Sequence, residues 1–313
     1  MAAIPWMQQG PFGVMVHWTA RTQPKDGPFD DNWDRAVDGF DVERFAETVA
    51  STGARWTIFT LGHAGVHFAA PNPVIERYAP GRCSRRNLIA EVAEALRRRD
   101  IHPLVYFQTE IDHEDEAFRR AFAWDEHPRD KSAFMARWTA VLGAYARGLG
   151  TRIDGWWFDS CYDSDKKPFL RTHGDGWDNS RFDLDAWLAA ARAGNPGALV
   201  AMNCGANQFD WVTTRQDYIA GEANDLAHLP PGPLVEGMQW HALTYIDCVW
   251  GHFDAPGKID PPRFTDEALA DYVSACHAKG GGVTLNLGIY RDGTLAEESV
   301  EQLRRLGRRL RCR

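Results

Sequence analysis

Short apolar runs alternate with stripes of apolar residues at helical spacing along almost the whole chain. Residues 12–18 (Phe-Gly-Val-Met-Val-His-Trp) predict a strand that ends at His17. A polar Gly/Pro/Asp stretch runs on to residue 40, longer than an ordinary connection and of the kind that carries function or disorder. Asp41 stands where it can cap a helix through Ser51, with Val42, Phe45, Ala46 and Val49 on one face and Gly53 as its stop. Residues 54–61, dense in β-branched and aromatic side chains, predict a second strand that opens into Gly62-His63-Ala64-Gly65. Ser84 is the expected cap of a helix over 85–99, its apolar face formed by Leu88, Ile89, Val92, Ala95 and Leu96. A third strand, 101–107, enters an acidic loop from Glu110 to Glu116. The helix after it, 132–149, carries Phe134, Trp138, Val141, Leu142 and Tyr145 at helical spacing.

The alternation continues. Residues 153–160 (Ile-Asp-Gly-Trp-Trp-Phe-Asp-Ser) read as a buried strand running straight into Asp159, followed by Cys161, Tyr162, Asp163 and a polar loop. A helix at 184–193 and a strand at 198–203 come next. Residues 217–221 predict a short sixth strand meeting Glu222, and 234–240 a seventh carrying Glu236. A helix at 265–278, a strand at 282–287 and a closing helix at 295–310 complete the chain. Strands alternating with helical segments, with crossovers long enough for parallel pairing, predict an α/β (β/α)8 barrel. The expectation is one catalytic domain over 1–313, irregular in its sixth and seventh units.

In such a barrel the C-terminal strand ends share one cavity. His17, Gly62-His63, Gln108-Thr109-Glu110, Asp159, Asn203, Glu222 and Glu236 would all face it. Several acids converging with two histidines suit glycoside hydrolysis, which needs a pair of carboxylates flanking a bound ring. The thirteen tryptophans can serve either as flat platforms for sugar rings or as core filler. Trp18, Trp157 and Trp240, with Glu110, are the candidate walls. The two remaining chemistries have less behind them. His17, His63 and Asp159 could supply three metal ligands, but no metal-spaced pair supports this, and Cys161 has no histidine in readable register. Without a dinucleotide fingerprint or a P-loop motif, no cofactor is expected.

A net charge of −8 with no basic stripe argues against nucleic acid as a partner. No apolar run is long enough for a membrane span and the N-terminus lacks a signal-peptide core, which makes the cytoplasm the default compartment. The six cysteines, spread without a CxxC, indicate neither a zinc knuckle nor a disulfide framework. The expected partner is a small saccharide or glycoside; the oligomeric state is left open.

The sequence also resembles the α-L-fucosidase family of glycoside hydrolases (family 29) over nearly its whole length. Residues 12–18 look like the family's first-strand signature ending in His-Trp. Residues 54–65 resemble its "AKYxxLTxKHHDGF" segment, and Trp157-Phe158-Asp159 its "WFDG". Asp217-Tyr218 followed by Glu222 is similar to "GDYxTPE", Glu236 with Trp250-Gly251-His252 to "WE…WGY", and residues 279–288 to "KGGNxLLNIG". The resemblance implies that Asp159 is the nucleophile of a retaining exo-glycosidase and that His17 and His63 bind sugar hydroxyls. It leaves the general acid between Glu222, Glu236 and an acid of the 110–116 loop, with Glu222 preferred.

Departures bear on specificity. Where the family has Lys-His-His-Asp-Gly-Phe, this chain has Leu61-Gly62-His63-Ala64-Gly65-Val66, so one histidine and one aspartate are missing. Asn203-Cys204-Gly205 lacks an arginine often found there, and Ser160 replaces the glycine after the nucleophile. A site that hydrogen-bonds hydroxyls discriminates strongly, so these changes are expected to alter which sugar fits more than which reaction occurs. The family's common C-terminal β-sandwich has no counterpart in these residues. The alternative of a different class is a catalytically silent sugar-binding barrel.

Overall fold

The computed structural model describes residues 3–63, 67–111, 115–127, 130–161 and 183–311. Eight parallel strands form one sheet: β1 (Gly13–Val16), β2 (Trp56–Thr60), β3 (His102–Gln108), β4 (Gly155–Asp159), β5 (Leu199–Met202), β6 (Glu222–Ala223), β7 (His241–Tyr245) and β8 (Gly282–Asn286). Their order is β5-β4-β3-β2-β1-β8-β7-β6, a (β/α)8 barrel with its seam between β5 and β6. A side chain bridges that seam. Asp217, just before β6, gives its N–H to the Val200 carbonyl at 2.8 Å and accepts the Val200 N–H on Oδ2 at 2.8 Å. Arg192 holds the same carboxylate at 2.9 Å.

Local signals explain most helices. Val42–Thr52 is capped by Asp41, which accepts the Arg44 N–H, and stops at Gly53 with φ +89°, a conformation that costs glycine nothing. Ser132–Leu149 and Leu184–Ala191 start where the periodicity predicts. The helix expected from residue 85 begins later, at Leu88–Arg97, and its cap is Asn87, which accepts the Ala90 N–H. Ser84 instead donates to the Arg86 carbonyl at 2.7 Å, closing a turn upstream.

Two strand assignments need correction. The sixth strand is Glu222–Ala223 itself; the 217–221 segment contributes only an isolated bridge, Tyr218 to Gln239. The seventh is His241–Tyr245, because residues 234–239 fold back as a small antiparallel hairpin, Leu234–Val235 with Met238–Gln239. Its turn is Glu236-Gly237, both left-handed at φ +48° and +84°, the geometry that two-residue hairpins favour. The irregularity therefore falls in the fifth and sixth units, whose connections carry no helix among the described residues; the seventh has Asp266–His277.

Strand alternation sorts the side chains into two shells. Met15, Ile58, Leu104, Trp157, Ala201, Ala220 and Leu243 fill the barrel interior. Their neighbours Val14, Val16, Phe59, Val105, Trp156 and Phe158 face outward into the layer under the helices. Seven tryptophans (Trp18, Trp56, Trp138, Trp156, Trp157, Trp187 and Trp240) are fully buried, so the aromatic load is chiefly core. No helix among the described residues is long and apolar enough to cross a membrane.

Candidate active site

Two residues beyond apolar interior positions, on the same face, polar side chains take over. Met15 is followed by His17, Leu104 by Tyr106, Trp157 by Asp159 and Ala201 by Asn203; buried Thr284 is followed by Asn286, and Glu222 opens β6 after the left-handed Gly221. These six groups gather at the C-terminal mouth of the barrel.

They are wired together. Asp159 accepts the Tyr106 hydroxyl on Oδ2 at 2.5 Å, and on Oδ1 the Ser160 N–H at 2.8 Å and Asn203 Nδ2 at 2.9 Å. The same Asn203 nitrogen donates to Glu222 Oε2 in a short bond. One amide therefore spans the two carboxylates. Their nearest oxygens can be no farther apart than two hydrogen-bond lengths, roughly 5–6 Å. Burial first, and the Asp159 charge second, push the Glu222 carboxyl up to about 7, while the Asn203 bond opposes the rise. Gly221 sets the entry to this strand: its φ is +64°, and a Cβ there would lie 1.9 Å from the His241 carbonyl oxygen.

On the other side, His17 Nδ1 lies 2.8 Å from Asn286 Oδ1. Asn286 Nδ2 donates to the Trp250 carbonyl at 2.8 Å, so its oxygen must accept and His17 Nδ1 carries the hydrogen. Burial, reinforced by repulsion from His63, lowers the His17 imidazole to about 4, which leaves it neutral with an acceptor Nε2. His63 packs 5.7 Å from His17 and 5.3 Å from Tyr106, ring centre to ring centre. Half-buried Trp250, with φ +59°, lies 5.8 Å from His17 and 5.2 Å from Tyr245.

The backbone after Asp159 is unusual. Ser160 has φ +62°, a left-handed conformation that costs a residue with a side chain about 1 kcal/mol. Fully buried Thr109 closes over it, its hydroxyl 2.8 Å from the Asp159 carbonyl and 3.0 Å from the Ser160 carbonyl.

Several expected site residues lie elsewhere. Glu236 is exposed at the hairpin tip, at the N-terminal mouth and so opposite Asp159, because the strand begins seven residues later than 234. Trp240 is buried outside the barrel against Phe209, ring centres 5.3 Å apart. Trp18 alternates outward from His17 and packs on Trp33 and Phe40. Trp157 does face inward, but beneath the carboxylates, stacked on Tyr106 at 5.4 Å and donating to the Ala220 carbonyl; it is floor, not wall. Glu110 is buried and shares with His63, Phe107 and Trp138 a small cavity whose lining includes neither Asp159 nor Glu222. In the acidic loop, Asp115 caps a short helix and pairs with Arg82, and Glu116 pairs with Arg120; residues 112–114 lie outside the described residues. Residues 64–66, together with Tyr162 and Asp163, also fall outside them. Cys161 is buried and its thiol pushed well above its ordinary value by that burial, a poor nucleophile. Among the described residues no three His, Cys, Asp or Glu groups are arranged to hold a metal ion.

Tyr106, Trp250 and Asn286 were missed by sequence reasoning. Tyr106 and Asn286 had a signal, since each stands two residues beyond an inward-facing position of its strand. Trp250, on a loop, had none of this kind.

Comparison with known proteins gives a family and a fold. The α-L-fucosidase family model matches residues 29–313. No curated protein sequence matches the chain. Among solved structures it is similar to the endo-fucoidan hydrolase MfFcnA4 from glycoside hydrolase family 107 (TM-score 0.70, 17% identity), covering 97% of this chain but only 53% of that one. It is similar to α-L-fucosidase AlfC from Lactobacillus casei in complex with α-L-fucose product (TM-score 0.67, 16% identity, covering 98% and 97%). A third likeness is α-L-fucosidase isoenzyme 1 from Paenibacillus thiaminolyticus (TM-score 0.66, 19% identity, covering 98% and 75%).

Proposed function

The chain belongs to the α-L-fucosidase family of glycoside hydrolases, and from that premise we propose a retaining exo-glycosidase with Asp159 as nucleophile and Glu222 as general acid and base. The observation that carries this reading is the Asn203 amide held between the two carboxylates. It keeps them near the separation of about 5–5.5 Å that suits double displacement, short of the roughly 6.5–9.5 Å that admits a water for inversion.

The electrostatics support the division of labour. Three donors converge on Asp159 and hold its carboxylate in one orientation for attack on the anomeric carbon. Glu222, raised to about 7, keeps its proton for the leaving-group oxygen. Once the aglycone departs, the ionised Glu222 takes a proton from water, and the water opens the glycosyl-enzyme. His17, neutral with an acceptor Nε2, suits a sugar hydroxyl better than proton transfer. The buried setting of His17 and Asn203 suits a terminal sugar, and an α-L-fucoside is the first substrate to test. The loss of one histidine and one aspartate after Leu61 favours a related sugar as the second.

The test is a screen of aryl glycosides spanning α-L-fucose, galactose and arabinose, with NMR of the first-formed anomer. Retention is the expected outcome, and an inverted first product would overturn the assignment. Azide should rescue Glu222→Ala on activated aryl glycosides, giving a glycosyl azide of retained configuration.

A further inference from the structure

The nucleophile sits on a backbone turn that its own sequence disfavours. Ser160 occupies a left-handed conformation natural to glycine, yet its N–H must point back for Asp159 Oδ1 to be held. Something outside the turn has to impose that geometry. Thr109, at the end of the neighbouring β3, is the group in place to do so. Its N–H donates to the Asp159 carbonyl at 3.1 Å, and its hydroxyl proton is shared between the Asp159 and Ser160 carbonyls at 2.8 and 3.0 Å. Ser160 and Thr109 are both buried, so water does not supply those bonds instead.

We propose that Thr109 is a positioning residue for the nucleophile: its hydroxyl holds Ser160 left-handed, and the Ser160 N–H in turn fixes the Asp159 carboxylate. The inference rests on the reading of Asp159 as nucleophile. It assigns the site a dependence on a side chain that does not touch substrate. It also ties that dependence to the serine at position 160, because a glycine would hold the turn with less help.

The experiment follows inactivation by the 2-deoxy-2-fluoro glycosyl fluoride of the sugar that the wild type turns over in the aryl-glycoside screen, which reports nucleophilic attack directly, in Thr109→Val, Thr109→Ser, Ser160→Gly and the two Thr109 variants combined with Ser160→Gly. Thr109→Val should slow kinact about 10- to 100-fold, the range for a misplacement approaching 1 Å, with KI changed less than about threefold. Thr109→Ser should restore most of the rate. The loss from Thr109→Val should shrink at least about threefold in the Ser160→Gly background, a coupling that a merely structural role would not give. Wild-type kinact in Thr109→Val, an equal loss in Thr109→Ser, or an undiminished loss in the Ser160→Gly background would each overturn the inference. Should Thr109→Val fail to fold, Thr109→Cys takes its place under the same comparisons. Peptide mapping separates the two levels of failure. No label on Asp159 in the wild type defeats the nucleophile reading; a label there with the wrong variant pattern defeats only the role of Thr109.

Discussion

Glu222 keeps its proton because it is desolvated beside another carboxylate, and the consequence is measurable in two ways. With Glu222 as the proposed general acid, kcat/KM should fall as pH rises through about 7, and Glu222→Gln should lose that alkaline limb along with most turnover of unactivated substrates. The linkage has the opposite sense to a salt-bridged acid. The folded state binds the proton more tightly than the unfolded chain, whose value is near 4.5, so stability declines between about pH 4.5 and 7 and is level above. Glu222→Gln should remove that decline, so that stability in chemical denaturation changes more positively with pH across the window than in the wild type. His17 works in the other direction: lowered to about 4 from an ordinary 6.5, it makes the fold gain stability as pH rises from about 4 to 6.5. Asp159→Ala should cut turnover by on the order of 10³-fold or more while the far-UV spectrum stays native; near-normal turnover would remove the nucleophile.

At the level of elements, strand alternation made much of this site readable in advance. Asp159, Asn203 and His17 follow from finding three strands and counting by twos. The same rule exposes the errors, because Trp18 and Trp240 sit one residue off phase and turn to the outer shell. Glu236 failed for a different reason. The apolar run over 234–240 contains a hairpin, and Glu236-Gly237 is its turn, a signal masked by the flanking Leu, Val and Met. Glu236→Ala should accordingly leave kcat and KM within about twofold of wild type. Gly221→Ala is the contrasting case. Its Cβ would collide with the His241 carbonyl, so a loss of about 2 kcal/mol or more by denaturant titration is expected, with reduced kcat as Glu222 shifts.

Over the whole molecule, the barrel was legible from alternating strands and helices, but its closure was not. β5 and β6 are short and are not paired as strands; the bonds across their seam include one accepted by the Asp217 side chain, which no periodicity encodes. Asp217→Ala would leave the Val200 N–H without that acceptor and Arg192 without its anion. A loss of about 1–3 kcal/mol is expected, read as a lower denaturant midpoint. Ligand binding offers a check that needs no turnover. A sugar that fits the mouth should stabilise Asp159→Ala by about 2.7 kcal/mol at a concentration of about one hundred times Kd, whereas a sugar that does not fit should leave its Tm unchanged.

That seam lies between the strand end bearing Asn203 and the strand bearing Glu222. The proposed proton donor therefore hangs from the edge strand at the seam, and the proposed nucleophile from a strand paired on both sides. On the proposed assignment, loosening at the join would lengthen the amide bridge between the two acids, so the Asp217 substitution is expected to lower turnover as well as stability.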